Sequence, residues 1–128
     1  MNRFNIGDKI KYKNMSFIIL EVNVNYGVYF YKLRNLYSDD VLSIKVNNVD
    51  KSAEKCNDNN LKEVKDLYNE LKNLILKNEN IVILNDYIMH KIVHKLGISS
   101  FDIFYTDISI LEDNKLILEV DKNTYKLL

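Results

Sequence analysis

Proline and tryptophan are absent from this 128-residue chain; cysteine occurs once and glycine three times. Each scarcity excludes something. With only Gly7, Gly27 and Gly97, no glycine-rich phosphate cradle can form. Cys56 can make no internal disulfide and, lying in a polar stretch apart from His90 and His94, offers no nucleophilic pair. A lone cysteine and the lack of a basic-then-apolar leader lead us to expect a reducing, cytoplasmic setting. Apolar runs are short, such as Ile81-Val82-Ile83-Leu84, far below the roughly 20 residues of a membrane helix, so no membrane partner is expected. Surplus charge is missing too: eighteen basic residues balance eighteen acidic ones. A dedicated phosphate-gripping protein carries excess positive charge, so the balance counts against one. Arginine is scarce beside lysine and asparagine is abundant, which we read as the coding bias of an AT-rich bacterial or phage genome.

What is present reads as a folded α+β chain. It is 47% hydrophobic and 28% charged, a globular balance. Residues 1–34 concentrate basic side chains and residues 101–128 acidic ones, which predicts two faces with different partners. Residues 1–50 predict a small β-unit. Ile10 and Tyr12 alternate with Lys9, Lys11 and Lys13, and Leu20, Val22 and Val24 alternate along a long second strand. Asn14-Met15, Asn25-Tyr26-Gly27 and Ser38-Asp39-Asp40 supply turns. Leu42, Ile44 and Val46 make a fourth strand, with a short extension at Val49. Residues 51–59 read as a polar linker. In 60–77, Leu61, Val64, Leu67, Tyr68, Leu71, Leu74 and Ile75 fall on one helical stripe, with Asn60 and Glu63 as a capping-box-like start. The stripe is expected to pack on the downstream sheet. Residues 81–84 read as a strand. Asn85-Asp86 caps a second helix over 87–96 that Gly97 ends. Residues 101–111 read as β-rich, pairing with 116–120 as a hairpin across the Glu112-Asp113-Asn114-Lys115 turn. The predicted division is therefore a β-barrel or meander over 1–50, a linker over 51–59, and an α+β unit over 60–128.

The residues Phe4-x-Ile6-Gly7-Asp8-Lys9-Ile10-x-Tyr12, then Tyr29-Phe30-Tyr31-x-Leu33 and Leu42-x-Ile44-x-Val46, resemble the opening of SH3-like small barrels. The nearest layout is that of the CarD-type RNA-polymerase-interacting domain, over residues 4–49. That resemblance implies a barrel that docks on a protein surface.

Three constellations compete for chemistry. Lys9, Lys11, Lys13, Lys32 and Arg34, with Tyr29 and Tyr31, provide cations beside stackable rings, suited to a partner surface or to single-stranded nucleic acid. The bland alternative is a lysine-protected edge strand with half-exposed tyrosines. His90 and His94 stand four apart on the second helix, the spacing of two zinc ligands, but Lys91 sits where the zinc-protease helix needs its glutamate. Finally Asp107, Glu119 and Asp121 resemble the acidic hairpin of the PD-(D/E)xK nuclease superfamily, with Asp121 where that family carries lysine; the resemblance implies Mg²⁺ held by Asp107 and Glu119. No set converges convincingly. The leading expectation is a non-enzymatic cytoplasmic adaptor, regulator or mobile-element inhibitor that docks on a larger protein and needs no cofactor. Nucleic-acid binding by the N-terminal unit and a reduced Mg-dependent nuclease are the alternatives, and the oligomeric state stays open.

Overall fold

Alternation of apolar and lysine side chains builds the first strand. In β1 (Lys9–Tyr12), Ile10 and Tyr12 are buried while Lys11 is exposed, the pattern of a strand with one wet face. Lys13 and Asn14 then take positive φ (50° and 64°), a two-residue turn that pairs Tyr12 with Met15 and opens β2 (Met15–Asn25). Tyr26 and Gly27 (φ 50° and 77°) repeat the device between β2 and β3 (Val28–Asn35). Asn35 builds the next turn: its side-chain oxygen accepts from the Tyr37 and Ser38 N–H groups at 2.9 and 3.1 Å, ahead of β4 (Val41–Lys45).

The computed structural model describes residues 2–56, 61–75 and 80–128. The chain divides into two compact units, Met1–Asn59 and Asn60–Leu128. In the first, the sheet order is β4-β3-β2-β1-β5, antiparallel throughout, with the short β5 (Glu54–Lys55) returning to the free edge of β1. Two expectations are corrected here. Val46 does not extend the fourth strand but opens α1 (Val46–Ser52), and Val49 is a buried position of that helix. Residues 51–56 are helix end and strand, not linker; 57–59 lie outside the described residues. The reason is apolar: Val46, Val49 and Ala53 are spaced to lie against the sheet, and a linker would leave them wet.

The core joins these to Phe4, Ile10, Tyr12, Phe17, Ile19, Tyr31 and Leu33. At its centre Tyr31 is fully buried, and its hydroxyl donates to Asp50 Oδ1 at 2.7 Å while accepting from the Phe4 N–H at 3.2 Å. Burial and the Asp50 bond push the phenol up to about 12, so it stays a neutral donor. Arg3 Nη1 donates to the Asp50 and Ala53 carbonyls at 2.9 and 2.8 Å, satisfying the open end of α1. Tyr31→Phe is expected to cost about 1–3 kcal/mol in urea denaturation, because it strands the buried Phe4 N–H and a part-buried carboxylate oxygen without filling any space. A variant as stable as the parent would show the network to be idle.

In the second unit, α2 (Leu61–Asn73) buries Val64, Leu67, Tyr68 and Leu71. It is shorter than read, since Leu74 and Ile75 fall beyond its end; Asn60, Lys77 and the 78–79 end lie outside the described residues. β6 (Ile81–Ile83) and α3 (Asp86–Leu96) follow as expected. The Asn85 side chain accepts from the Ile88 N–H at 2.9 Å, and Gly97 (φ 67°) ends the helix with the Ile98 N–H donating to the Val93 carbonyl at 3.0 Å. The largest correction is downstream: residues 101–111 are not strand but lie within α4 (Phe101–Asp113), capped by Ser100. The hairpin pairs β7 (Ile117–Asp121) with β8 (Thr124–Leu127), and β8 also pairs with β6. A second correction follows: the principal partners of the α2 stripe are α4 and α3 rather than the sheet.

Candidate binding surface

Strand register assembles a surface on the first unit. Lys9 pairs with Ile18, Ile18 with Arg34, and Arg34 with Val41, one row across four strands. Parallel rows run Glu21–Lys32–Ser43 and Asn23–Phe30–Lys45, and Lys11 pairs with Ser16 and Glu54. Directly paired residues project from the same face. Lys9, Lys11, Lys32, Arg34 and Lys45 therefore share the face opposite the core with Ile18, Phe30 and Val41. A β-bulge between Ile19 and Glu21 keeps Glu21 and Asn23 on that side past the irregularity.

Acidic neighbours hold two of these cations, Lys32 and Arg34, loosely. Lys32 Nζ lies 4.0 Å from Glu21 Oε1, and Arg34 Nε 3.9 Å from Asp39 Oδ1, the outer limit of ion pairing between half-exposed side chains. Such pairs contribute about 0–1 kcal/mol. Arg34 Nε is itself enclosed and has no hydrogen-bond partner among the described residues. Lys11 and Lys45 form no ion pair among the described residues.

The tyrosines behave otherwise. Tyr29 and Tyr31 alternate with Phe30 and point to the core side of β3. Tyr31 is spent inside the core; Tyr29, 57% exposed, sits past the core's end, beside a cavity of about 220 Å³ that Gly27, Lys45 and Asn47 also line. The two-tyrosine stacking platform is therefore not assembled. Lys13 lies in the β1–β2 turn, its Nζ 5.5 Å above the Tyr12 ring. Phe30, Val41 and Lys45 are the surface residues that sequence reading missed, although the parity of Phe30 with Lys32 and Arg34 was the available signal.

The acidic residues of the second unit do not converge on one point. Asp107 lies on α4, fully buried, with neither carboxylate oxygen receiving a donor from the described residues. Its counterpart is Glu63 of α2, whose Oε1 is also enclosed without a donor among the described residues. Burial first, then the neighbouring Glu63 carboxyl, push the Asp107 carboxyl up to about 7, so Asp107 keeps its proton until near neutrality. Glu119 is taken instead by the Tyr125 hydroxyl across the β7–β8 pair. Asp121 accepts from the Lys122 N–H at 2.8 Å in the turn. The hairpin arrangement expected of Asp107, Glu119 and Asp121 is thus overturned by the helical placement of Asp107. His90 and His94 are exposed on α3, with His90 edge-on to Phe101 at 4.8 Å. Among the described residues no group of three or more potential ligands could hold a metal ion, and no helix is long and apolar enough to cross a membrane. Set against protein-family models, curated proteins and solved structures, the chain finds no match in any of the three.

Proposed function

We propose that the chain is a non-enzymatic binding module, an adaptor, regulator or inhibitor, that docks the outer face of its N-terminal sheet on an acidic surface of a larger protein. The observation that carries this reading is the composition of that face: five cations against two acids, Glu21 and Glu54, with Lys32 and Arg34 only loosely paired, around a half-buried Phe30 and an exposed Val41. An aromatic anchor ringed by charge is the build of a protein-docking patch, with a water-excluding centre and a steering rim. The resemblance of residues 4–49 to SH3-like small barrels, and the return of β5 to β1 after α1, support the same reading. Nucleic acid is the weaker occupant, because the tyrosines are turned away and one phenylalanine gives a single stacking position.

A photo-crosslinking residue at Phe30 is expected to capture one stoichiometric protein partner, while the same group at Leu118 of β7 captures none. Lys32→Glu combined with Arg34→Glu is expected to weaken that capture about tenfold or more and to reduce its salt dependence. Retention on single-stranded DNA that disappears in this double variant, with no protein crosslink at Phe30, would overturn the protein-docking reading in favour of nucleic acid.

A further inference from the structure

β4 (Val41–Lys45) is the outermost strand of its sheet, with no strand beyond it among the described residues. The Asn35 N–H donates to the Asp40 carbonyl at 2.8 Å, so the Asp40 backbone faces β3. Alternation then turns the backbone groups of Leu42 and Ile44 toward β3 and those of Val41, Ser43 and Lys45 away from it. Lys45, as the N-cap of α1, gives its carbonyl to that helix; its N–H and both groups of Val41 and Ser43 stay at the open edge. Val41 is 51% exposed, and Ser43 and Lys45 are exposed too. Terminal strands are ordinarily guarded by shortness, charge or a bulge. β5 is two residues long and both are charged; β6 has three residues; β7 carries Glu119, Asp121 and a bulge between them. Val41-Leu42-Ser43-Ile44 has no such guard, and the one charge of β4 stands at its end.

An edge of this kind joins a second copy of itself antiparallel, about a two-fold axis, with outward residues opposite outward residues. Centred on Ser43, that rule sets each Ser43 against its own counterpart and each Val41 against a Lys45. About four backbone hydrogen bonds close: a reciprocal pair between the serines, and one from each Lys45 N–H to a Val41 carbonyl. Charge permits the register. Each Lys45 stem covers an exposed Val41, and the two Lys45 positions stand roughly 13 Å apart along the joined strands, beyond the Debye length at physiological salt. A foreign strand carrying acids to match Lys45 is drawn first to the cations of the outer face, not to an edge with one. We propose that the chain pairs with a second copy along β4, antiparallel about Ser43, into one continuous sheet. The two-fold axis stands normal to that sheet, so both cationic outer faces lie on one side and offer a docking partner a doubled surface. The pairing itself does not depend on what that face docks. Like charge on the merged faces opposes it, so association tightens as salt rises.

The test is sedimentation equilibrium of the full chain from about 10 μM to about 1 mM, where a dimer dissociation constant of roughly 10–500 μM is expected for so small an interface. Raising salt from about 50 to about 300 mM is expected to tighten it about two- to fivefold. Ser43→Lys, which sets two ammonium groups at the axis, is expected to weaken it about tenfold or more with thermal unfolding unchanged. In a Cys56→Ser background, Ser43→Cys is expected to form an interchain disulfide under mild oxidation, its opposed Cα atoms lying about 5.5 Å apart. Lys32→Cys in the same background, one strand further in on the same face, is expected not to. A chain that stays monomeric to about 1 mM, association that weakens as salt rises, indifference to Ser43→Lys, or Ser43→Cys oxidising no faster than Lys32→Cys each overturn the pairing.

Discussion

Raising the pH from mildly acid to mildly alkaline is expected to destabilise the 60–128 unit by roughly 2–4 kcal/mol, and Asp107→Asn is expected to remove most of that loss. Asp107 is fully buried on α4, and among the described residues the Glu63 carboxyl is the group that acts on it. Its folded carboxyl titrates near 7, above the ordinary 3.8, so between those values the folded state holds a proton that the unfolded chain has released. Stability from this group is therefore complete below about 3.8 and is lost as pH rises through about 7. The direction is opposite to ordinary acid denaturation, in which salt-bridged carboxylates are protonated. Asp107→Asn keeps the shape, supplies an amide donor to Glu63 and removes the ionisation, so the variant gains on the parent most at alkaline pH. Urea midpoints across the pH range test both claims. A parent whose stability rises with pH through neutrality, or a variant with an unchanged pH slope, would show that buried Asp107 does not hold its proton to neutrality.

Phe104→Ala is expected to cost roughly 3–5 kcal/mol, while Phe101→Ala, three residues away, costs under about 1 kcal/mol. Phe104 is 0% exposed on a helix packed against α2 and β7; Phe101, one turn before it, is 36% exposed. Truncating the first leaves a void that its neighbours only partly fill, and truncating the second returns a half-wet ring to solvent. The contrast separates helix from strand. On a strand, Phe104 shares a face with Ile108 but not with Leu111 or Tyr105. On a helix, Phe104, Asp107, Ile108 and Leu111 all turn inward. Loss of amide protection across α2, α3 and α4 in Phe104→Ala, with protection retained in Phe101→Ala, is the expected result. Comparable losses in both would mean that α4 does not bury the face assigned to it.

The misreading of 101–111 has a definite physical origin. Phe101, Ile103, Phe104, Tyr105, Thr106, Ile108 and Ile110 are aromatic or β-branched, the composition enriched in strands. That preference is worth tenths of a kcal/mol per residue, and burying a stripe three and four residues apart exceeds it. The stripe and the Ser100 cap were both visible in the sequence, and composition masked them. Tyr31 erred the other way. Its parity on β3 matched Tyr29, yet one ring lies within the core and the other beyond its end, a difference of position that alternation cannot show. The Asp107–Glu63 pair was invisible for a related reason: forty-four positions separate two acids that meet only when α2 and α4 pack.

Short-range chemistry, then, is what the amino-acid order settled unaided. Tyr26 and Gly27 closed the β2–β3 hairpin, Asn85 and Gly97 bounded α3, the α2 stripe was bound to be buried, and the α+β class followed; the first turn fell at Lys13-Asn14, one residue before the expected Asn14-Met15. Tertiary packing alone decided which face each strand turned inward, that α2 leans on helices, that Phe30 and Lys45 join the lysines of β1, and that Asp107 is enclosed with another acid. The division follows from range: caps and turns are closed by atoms a few bonds apart, whereas a shared face, a cavity or a buried proton exists only after distant segments have excluded water between them.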